Sequence, residues 1–252
     1  LSLAAHGNTY CEMEGEIGKP IALEAYEQLA DSYSAQVEEK PHNAYYDRPA
    51  VLSLLPDLKG KRLLEAGCGP GIYLKEMTAL GAEMPVGVDV SPRMLSHAKR
   101  RVGERARLYE VDLNRGLSLF EDESFDIVVS PLVLDYVYDW RMIFSEFNRV
   151  MAEGGTLIFS VEHPSSDYRL RSGESYFSVG RTELVWKGFD KLVLVPSYRR
   201  PLQEMLNPLI QAGFFLEKVL EPLPTEEFRE SNRKEFDHLS TSPGFICFKA
   251  RK

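Results

Sequence analysis

From about residue 60 the chain alternates short apolar runs with stretches whose apolar residues recur at helical spacing. This is the pattern of successive βαβ units and a parallel sheet. Arg62-Leu63-Leu64-Glu65 reads as the first strand. A glycine-rich turn follows, then a helix from about Ile72 to Leu80, with Leu74, Met77 and Leu80 on one face and Gly81 as its left-handed stop. Pro85–Asp89 reads as the second strand. Ser91 then caps a helix that Pro92 opens; Met94, Leu95, Ala98 and Val102 form its buried stripe, and Gly103 ends it. A third strand is expected at Arg107–Val111 and a fourth, continuously apolar and suited to the sheet centre, at Phe125–Ser130. Asp139 caps a helix carrying Ile143, Phe144, Phe147 and Val150. Gly154-Gly155 is expected to break it before a fifth strand at Thr156–Val161.

The rhythm changes on both flanks. Residues 163–200 are rich in aromatic, arginine and glycine residues and hold two β-like runs, Glu183–Trp186 and Lys191–Val195. They read as a β-rich insertion capping the strand ends. A helix near Pro201–Ala212 and strands at Phe214–Leu220 and Phe245–Ala250 return to the sheet. Residues 21–58 read as a helical lid broken near Pro41, and residues 1–20 as a loose leader. The expected organisation is one α/β domain over 21–252: lid at 21–58, core at 60–162, cap at 163–200 and the C-terminal part of the sheet at 201–252.

Charge narrows the partners. The formal net charge is −8 over 252 residues. Nucleic-acid binding rests on neutralising phosphates with Lys and Arg, so the acidic balance argues against such a partner. The dense basic run Lys99-Arg100-Arg101 closes a predicted helix, where cations complement the dipole, and reads as a solvated helix end. Cys11, Cys68 and Cys247 are scattered and odd in number, which favours a reducing, cytoplasmic compartment. The histidines are dispersed too, so no metal site is expected. No apolar run approaches the roughly 18 residues of a membrane span.

The chemistry concentrates at strand exits. Glu65-Ala66-Gly67-Cys68-Gly69-Pro70-Gly71 stands between a strand and a helix, where an open α/β sheet forms its ligand crevice. A dinucleotide reader would carry G-x-G-x-x-G, but Ile72 occupies the third glycine position. Glu65 would repel a pyrophosphate, yet could hold an ammonium through charge-assisted hydrogen bonds. Asp89, 22 positions after Gly67, suits ribose hydroxyls. Asp112 can accept from an adenine amine while Leu113 packs on the ring. Ser130-Pro131-Leu132-Val133-Leu134-Asp135-Tyr136 leaves the fourth strand beside them.

These motifs, with Gly87-Val88-Asp89-Val90-Ser91, resemble those of class I S-adenosylmethionine-dependent methyltransferases, most nearly the small-molecule type 11 group. The resemblance implies a Rossmann-like, doubly wound seven-stranded sheet whose last strand is antiparallel. It implies S-adenosyl-L-methionine as cofactor and S-adenosyl-L-homocysteine as product. Glu65, Gly67, Cys68, Gly69 and Gly71 would meet the methionine part, with Ser130 nearby. Asp89 and Val90 would meet the ribose, and Asp112, Leu113 and Met94 the adenosine. Tyr33, in a stretch resembling a lid helix, would close over the cofactor.

The reaction implied is in-line displacement at a sulfonium methyl by a small-molecule acceptor. His163, at the mouth of the fifth strand, is the candidate general base because histidine titrates near neutrality. Asp135 and Tyr136, on the neighbouring strand end, are weaker candidates for that base and are expected to line the acceptor site. Trp186, Tyr176, Phe177 and Tyr198 are candidates for an aromatic acceptor wall. A nicotinamide oxidoreductase and a cofactor-binding regulator without transfer activity are the alternatives.

Overall fold

Successive residues of the central strands point to opposite faces of one sheet, and the two hydrophobic cores follow from that alternation. In β1 (Leu63–Ala66), Leu63 packs below the sheet and Leu64 above it. In β4 (Phe125–Pro131), Ile127 and Val129 face the lower layer and Val128 the upper. The computed structural model describes residues 19–166 and 175–252. Most of the expected leader, with Cys11, and residues 167–174 of the expected cap lie outside the described residues.

The sheet has seven strands in the order β3-β2-β1-β4-β5-β9-β8. Here β2 is Val86–Asp89, β3 Arg107–Glu110, β5 Met151–Glu162, β8 Phe215–Leu220 and β9 Phe245–Arg251. The first five pair in parallel, and β9, the last in sequence, runs antiparallel to both neighbours. Helices α2 (Arg48–Leu54), α3 (Ile72–Ala79) and α4 (Pro92–Val102) cover one face. The other is covered by α5 (Trp140–Val150) and α6 (Leu202–Gln211).

The caps read from sequence are made as expected. Ser91 Oγ accepts from the Met94 amide, and Asp139 accepts from the Arg141 and Met142 amides. Gly81 and Gly103 take positive φ at the ends of α3 and α4. The boundary after α5 differs. The helix stops at Val150, Met151 already pairs with Phe125 at the start of β5, and the glycine pair shapes an irregularity within the strand. The basic run also departs in part from a solvated end. The half-buried Arg101 bonds Pro70 O and Ser34 O, tying the glycine loop to α1 (Leu23–Gln36).

Before the core, α1 leads into a single π-helical turn, Asn43–Asp47, which runs directly into α2. After it, β6 (Gly180–Trp186) and β7 (Val193–Arg199) form a separate hairpin. Val193 and Val195 of that hairpin, with Phe189, pack on Ala25 and Leu29 of α1. Helices α7 (Glu226–Ser231) and α8 (Arg233–Leu239) precede β9, in a stretch whose sequence carries no strong helical period.

Candidate functional site

The strand order reverses between β1 and β4, and connections leave that point in opposite directions. Such a switch point opens a crevice at the carboxyl ends of the strands. A cavity of about 490 Å³ lies there, beneath α1 and the tip of the hairpin.

Glu65, on β1, is only 1% exposed and its Oε2 has no hydrogen-bond partner. Burial, then the neighbouring Asp89, pushes its carboxyl well above the usual range, against a pull from the Leu74 amide. Gly67 has φ of +81°, and a Cβ there would stand 2.3 Å from Val133 Cγ2. The Gly67 and Cys68 amides both donate to Val88 O at 2.8 Å, which pins the loop to β2. A Cβ at Gly69 would meet nothing within 4 Å, and the Gly69 amide donates to Asp89 Oδ2 at 2.8 Å. Asp89 also accepts from Ser91 N at 2.9 Å. Burial lifts its carboxyl to about 6, and the Ser91, Gly69 and Val90 amides restrain the rise.

At the exit of β3, Asp112 accepts from Asn114 N at 3.0 Å, and Leu113 is buried beside it. Val90 and Met94 complete this end of the cavity. On the lid, Tyr33 faces the cavity and stacks edgewise on Tyr26 at 5.7 Å. Tyr26 Oη lies 2.9 Å from Tyr136 Oη, so α1 is bonded to the loop after β4. Trp186 packs against Tyr26 and Phe189. Asp135 accepts from Glu162 N at 3.0 Å at the cavity edge.

Six sequence candidates are not among the lining residues. Gly71 instead lets α3 approach α4, since a Cβ there would lie 3.1 Å from Ala98. Ser130 is fully buried and donates to Ala66 O, holding β4 to β1. Tyr198 packs on Tyr138 at 5.3 Å. His163 is turned away from the cavity: Nδ1 meets Ser165 Oγ at 2.7 Å and Nε2 meets Glu221 Oε1 at 2.8 Å. Its preceding neighbour, Glu162, lines the cavity, and strand alternation sends His163 to the opposite side. The expected base is therefore engaged elsewhere. Tyr176 and Phe177 also stand apart, Tyr176 Oη accepting from the Leu202 amide and Phe177 being exposed.

The cavity has walls that the strand pattern did not announce. Tyr26 and Phe189 roof it, and Asp47 and Tyr73 line it from the segments before α2 and at the start of α3. Among the described residues no cluster of three His, Cys, Asp or Glu suits a metal ion. The donor set fits an amino-acid nucleoside. A buried, unpartnered carboxylate oxygen seeks a cation, and a second carboxylate stands on the next strand for hydroxyls. A pyrophosphate would meet Glu65 instead of amide donors.

Residues 64–159 match the methyltransferase domain family. A ubiquinone biosynthesis O-methyltransferase from Hahella chejuensis is 32% identical, over 67% of this chain and 74% of that protein. An uncharacterized protein of Haemophilus influenzae is 30% identical, over 83% of this chain and 88% of that one. The chain spans about half, 53%, of the malonyl-[acyl-carrier protein] O-methyltransferases it matches. In three dimensions it is similar to an S-adenosylmethionine-dependent methyltransferase of Mesorhizobium loti. The TM-score is 0.67 at 24% identity, covering 86% of this chain and all of that one, a likeness of fold.

Proposed function

This chain belongs to the class I S-adenosylmethionine-dependent methyltransferases, in the type 11 group, and on that premise we propose that it methylates a small molecule seated in the 490 Å³ cavity. S-adenosylmethionine, when bound, supplies an electrophilic methyl carbon on a sulfonium. The residues then divide by task. Glu65 holds the ammonium of the methionine tail, Asp89 accepts from the ribose hydroxyls, and Asp112 and Leu113 take the base. Val90 and Met94 pack on the adenosine, and Gly67, Cys68 and Gly69 let backbone approach the tail. Tyr26, Tyr33, Tyr136 and Trp186 cover the reacting atoms and exclude water. Asp135 stands at the acceptor end.

The observation that carries this reading is the unpartnered Glu65 oxygen buried at the exit of β1. Leaving a buried charge acceptor unsatisfied costs about 1–3 kcal/mol, more if ionised, unless a ligand completes it. Calorimetry with S-adenosylhomocysteine is the test. The expected result is saturable binding by the wild type and a loss of about 1–3 kcal/mol in Glu65→Gln, the scale of a hydrogen bond to a charged group. Binding of NADH with none of S-adenosylhomocysteine would overturn the reading. A cytoplasmic setting goes with it, since Cys68 and Cys247 are free and buried. Among the described residues no helix is long and apolar enough to cross a membrane.

A further inference from the structure

The proposed cofactor determinants occupy the exits of β1, β2 and β3. The exits of β4 and β5, with the turn before α2, form the other half of the cavity. Asp47 ends that turn and lines this half at 1% exposure. Tyr73 Oη donates to its Oδ2 at 2.6 Å, while Oδ1 has no partner. The Ser160 hydroxyl on β5 accepts from the Leu132 amide at 3.2 Å and turns its own proton toward the Asp47 carboxylate, favouring its charged form. Asp47 is thus held against the point where the loop after β4 enters the cavity. In the same cavity Tyr33, Phe189 and Trp186 form a connected aromatic wall, with ring centroids 4.9 and 5.7 Å apart.

A buried carboxylate with an empty oxygen is rare in a native structure and needs a reason. Burial lifts Asp47 to about 6, and Ser160, Tyr73 and Arg48 restrain it. The ionisable groups around it are Tyr33 from α1, Tyr73 from α3, Cys247 from β9, and Arg48 and Tyr46 from its own segment. The Arg48 guanidinium donates to Val37 O and Glu38 O, so it does not close the carboxylate off.

We propose that Asp47, positioned by Tyr73, accepts the proton from the hydroxyl of a planar, phenol-type acceptor that packs on Tyr33, Phe189 and Trp186. The inference rests on the methyl-transfer reading above. The acceptor O–H bond breaks and its proton passes to Asp47 Oδ1. The oxygen lone pair forms the new O–CH₃ bond. The S–CH₃ bond breaks, its electron pair stays on sulfur, and the sulfonium becomes a thioether. A carboxylate of this basicity cannot take a proton from an alkanol, but it can assist a phenol as displacement proceeds.

The test uses S-adenosylmethionine with catechol and with para-nitrophenol, a phenol already substantially ionised near neutrality. The wild type is expected to methylate both and to lose catechol turnover on the acid side with a midpoint near 6. Asp47→Asn should lower catechol turnover by roughly 10²–10⁴-fold, the range of general-base catalysis, and para-nitrophenol turnover far less. Its S-adenosylhomocysteine affinity should stay unchanged. Tyr73→Phe keeps the carboxylate and removes a bond that favours its charged form, so its acid limb should move to higher pH. That variant also decides the matter should Asp47→Asn fail to fold. Equal losses on the two phenols in Asp47→Asn, or an unmoved limb in Tyr73→Phe, would overturn the proposal. So would a wild type that binds S-adenosylhomocysteine and methylates neither phenol. A wild type that fails to bind S-adenosylhomocysteine would remove the methyl-transfer reading and this one with it.

Discussion

Glu65 and Asp89 are acids whose proton affinity is raised in the folded chain, the first well above its ordinary range and the second to about 6. The sign follows from burial. Folding favours the protonated carboxyl, so the stability it contributes is full below the unfolded value near 4 and is lost as pH rises through about 6. The wild type should therefore lose up to roughly 2–3 kcal/mol of stability between pH 4 and pH 7 through this group, from about two units at 1.36 kcal/mol each. Asp89→Asn, which cannot titrate, should lack that part of the pH dependence, and urea denaturation at both pH values checks it. The same variant should bind S-adenosylhomocysteine more weakly. Placing an ammonium beside Glu65 favours its charged form, so binding should be accompanied by proton release. Calorimetry in buffers of different ionisation enthalpy measures that directly. Glu65, Asp89 and Asp112 were legible because each lies at or just beyond a strand end, where an α/β sheet puts its ligands. Asp47 was not. It sits in Tyr45-Tyr46-Asp47-Arg48-Pro49, which reads as an ordinary helix start, and its partners Tyr73 and Ser160 meet it only in space. His163 misled for the converse reason: the exit of β5 is the right place, but the alternating pleat gives that place to Glu162.

Among the elements, the loop between β1 and α3 is the least tolerant. Gly67→Ala would strain φ of +81° and drive a methyl into Val133. The expected cost is on the order of 1–3 kcal/mol in stability, together with loss of S-adenosylhomocysteine binding. Adding Val133→Ala should recover packing but not the strain, and thermal melts of the single and double variants separate the two. The βαβ elements were readable because their apolar periods and caps agree, Ser91 before α4 and Asp139 before α5 being the clearest cases. The misses have local causes. The start of β5 was obscured because a glycine pair resembles a helix stop but here lies within a strand. The π-helical turn at Asn43–Asp47 runs straight into α2, and its sequence reads like any other helical turn. Helices α7 and α8 are short, and only Phe228 and Leu239 of them are buried in the cluster they share with Tyr46.

The whole molecule closes its cavity with segments far apart in sequence. Tyr26 and Tyr136 bond across it, and Lys40 reaches over Phe189 at 3.5 Å to donate to Gly188 O. Trp186→Ala should loosen this cover. The expected result is faster amide hydrogen exchange along α1, with little change in the central strands, and partial restoration by S-adenosylhomocysteine. The separation of these walls also bears on how the chain acquires its pocket. Nothing resembling the site exists in any one stretch, because its floor, roof and side come from the middle, the beginning and the later part of the polypeptide. Loop closure over such distances is slow, so the pocket should mature after the sheet has formed. A newly made or damaged chain would then pass through a stage with native strands and no capacity for ligand. Nucleoside present during refolding would act only on the last step, trapping finished molecules without hastening their assembly.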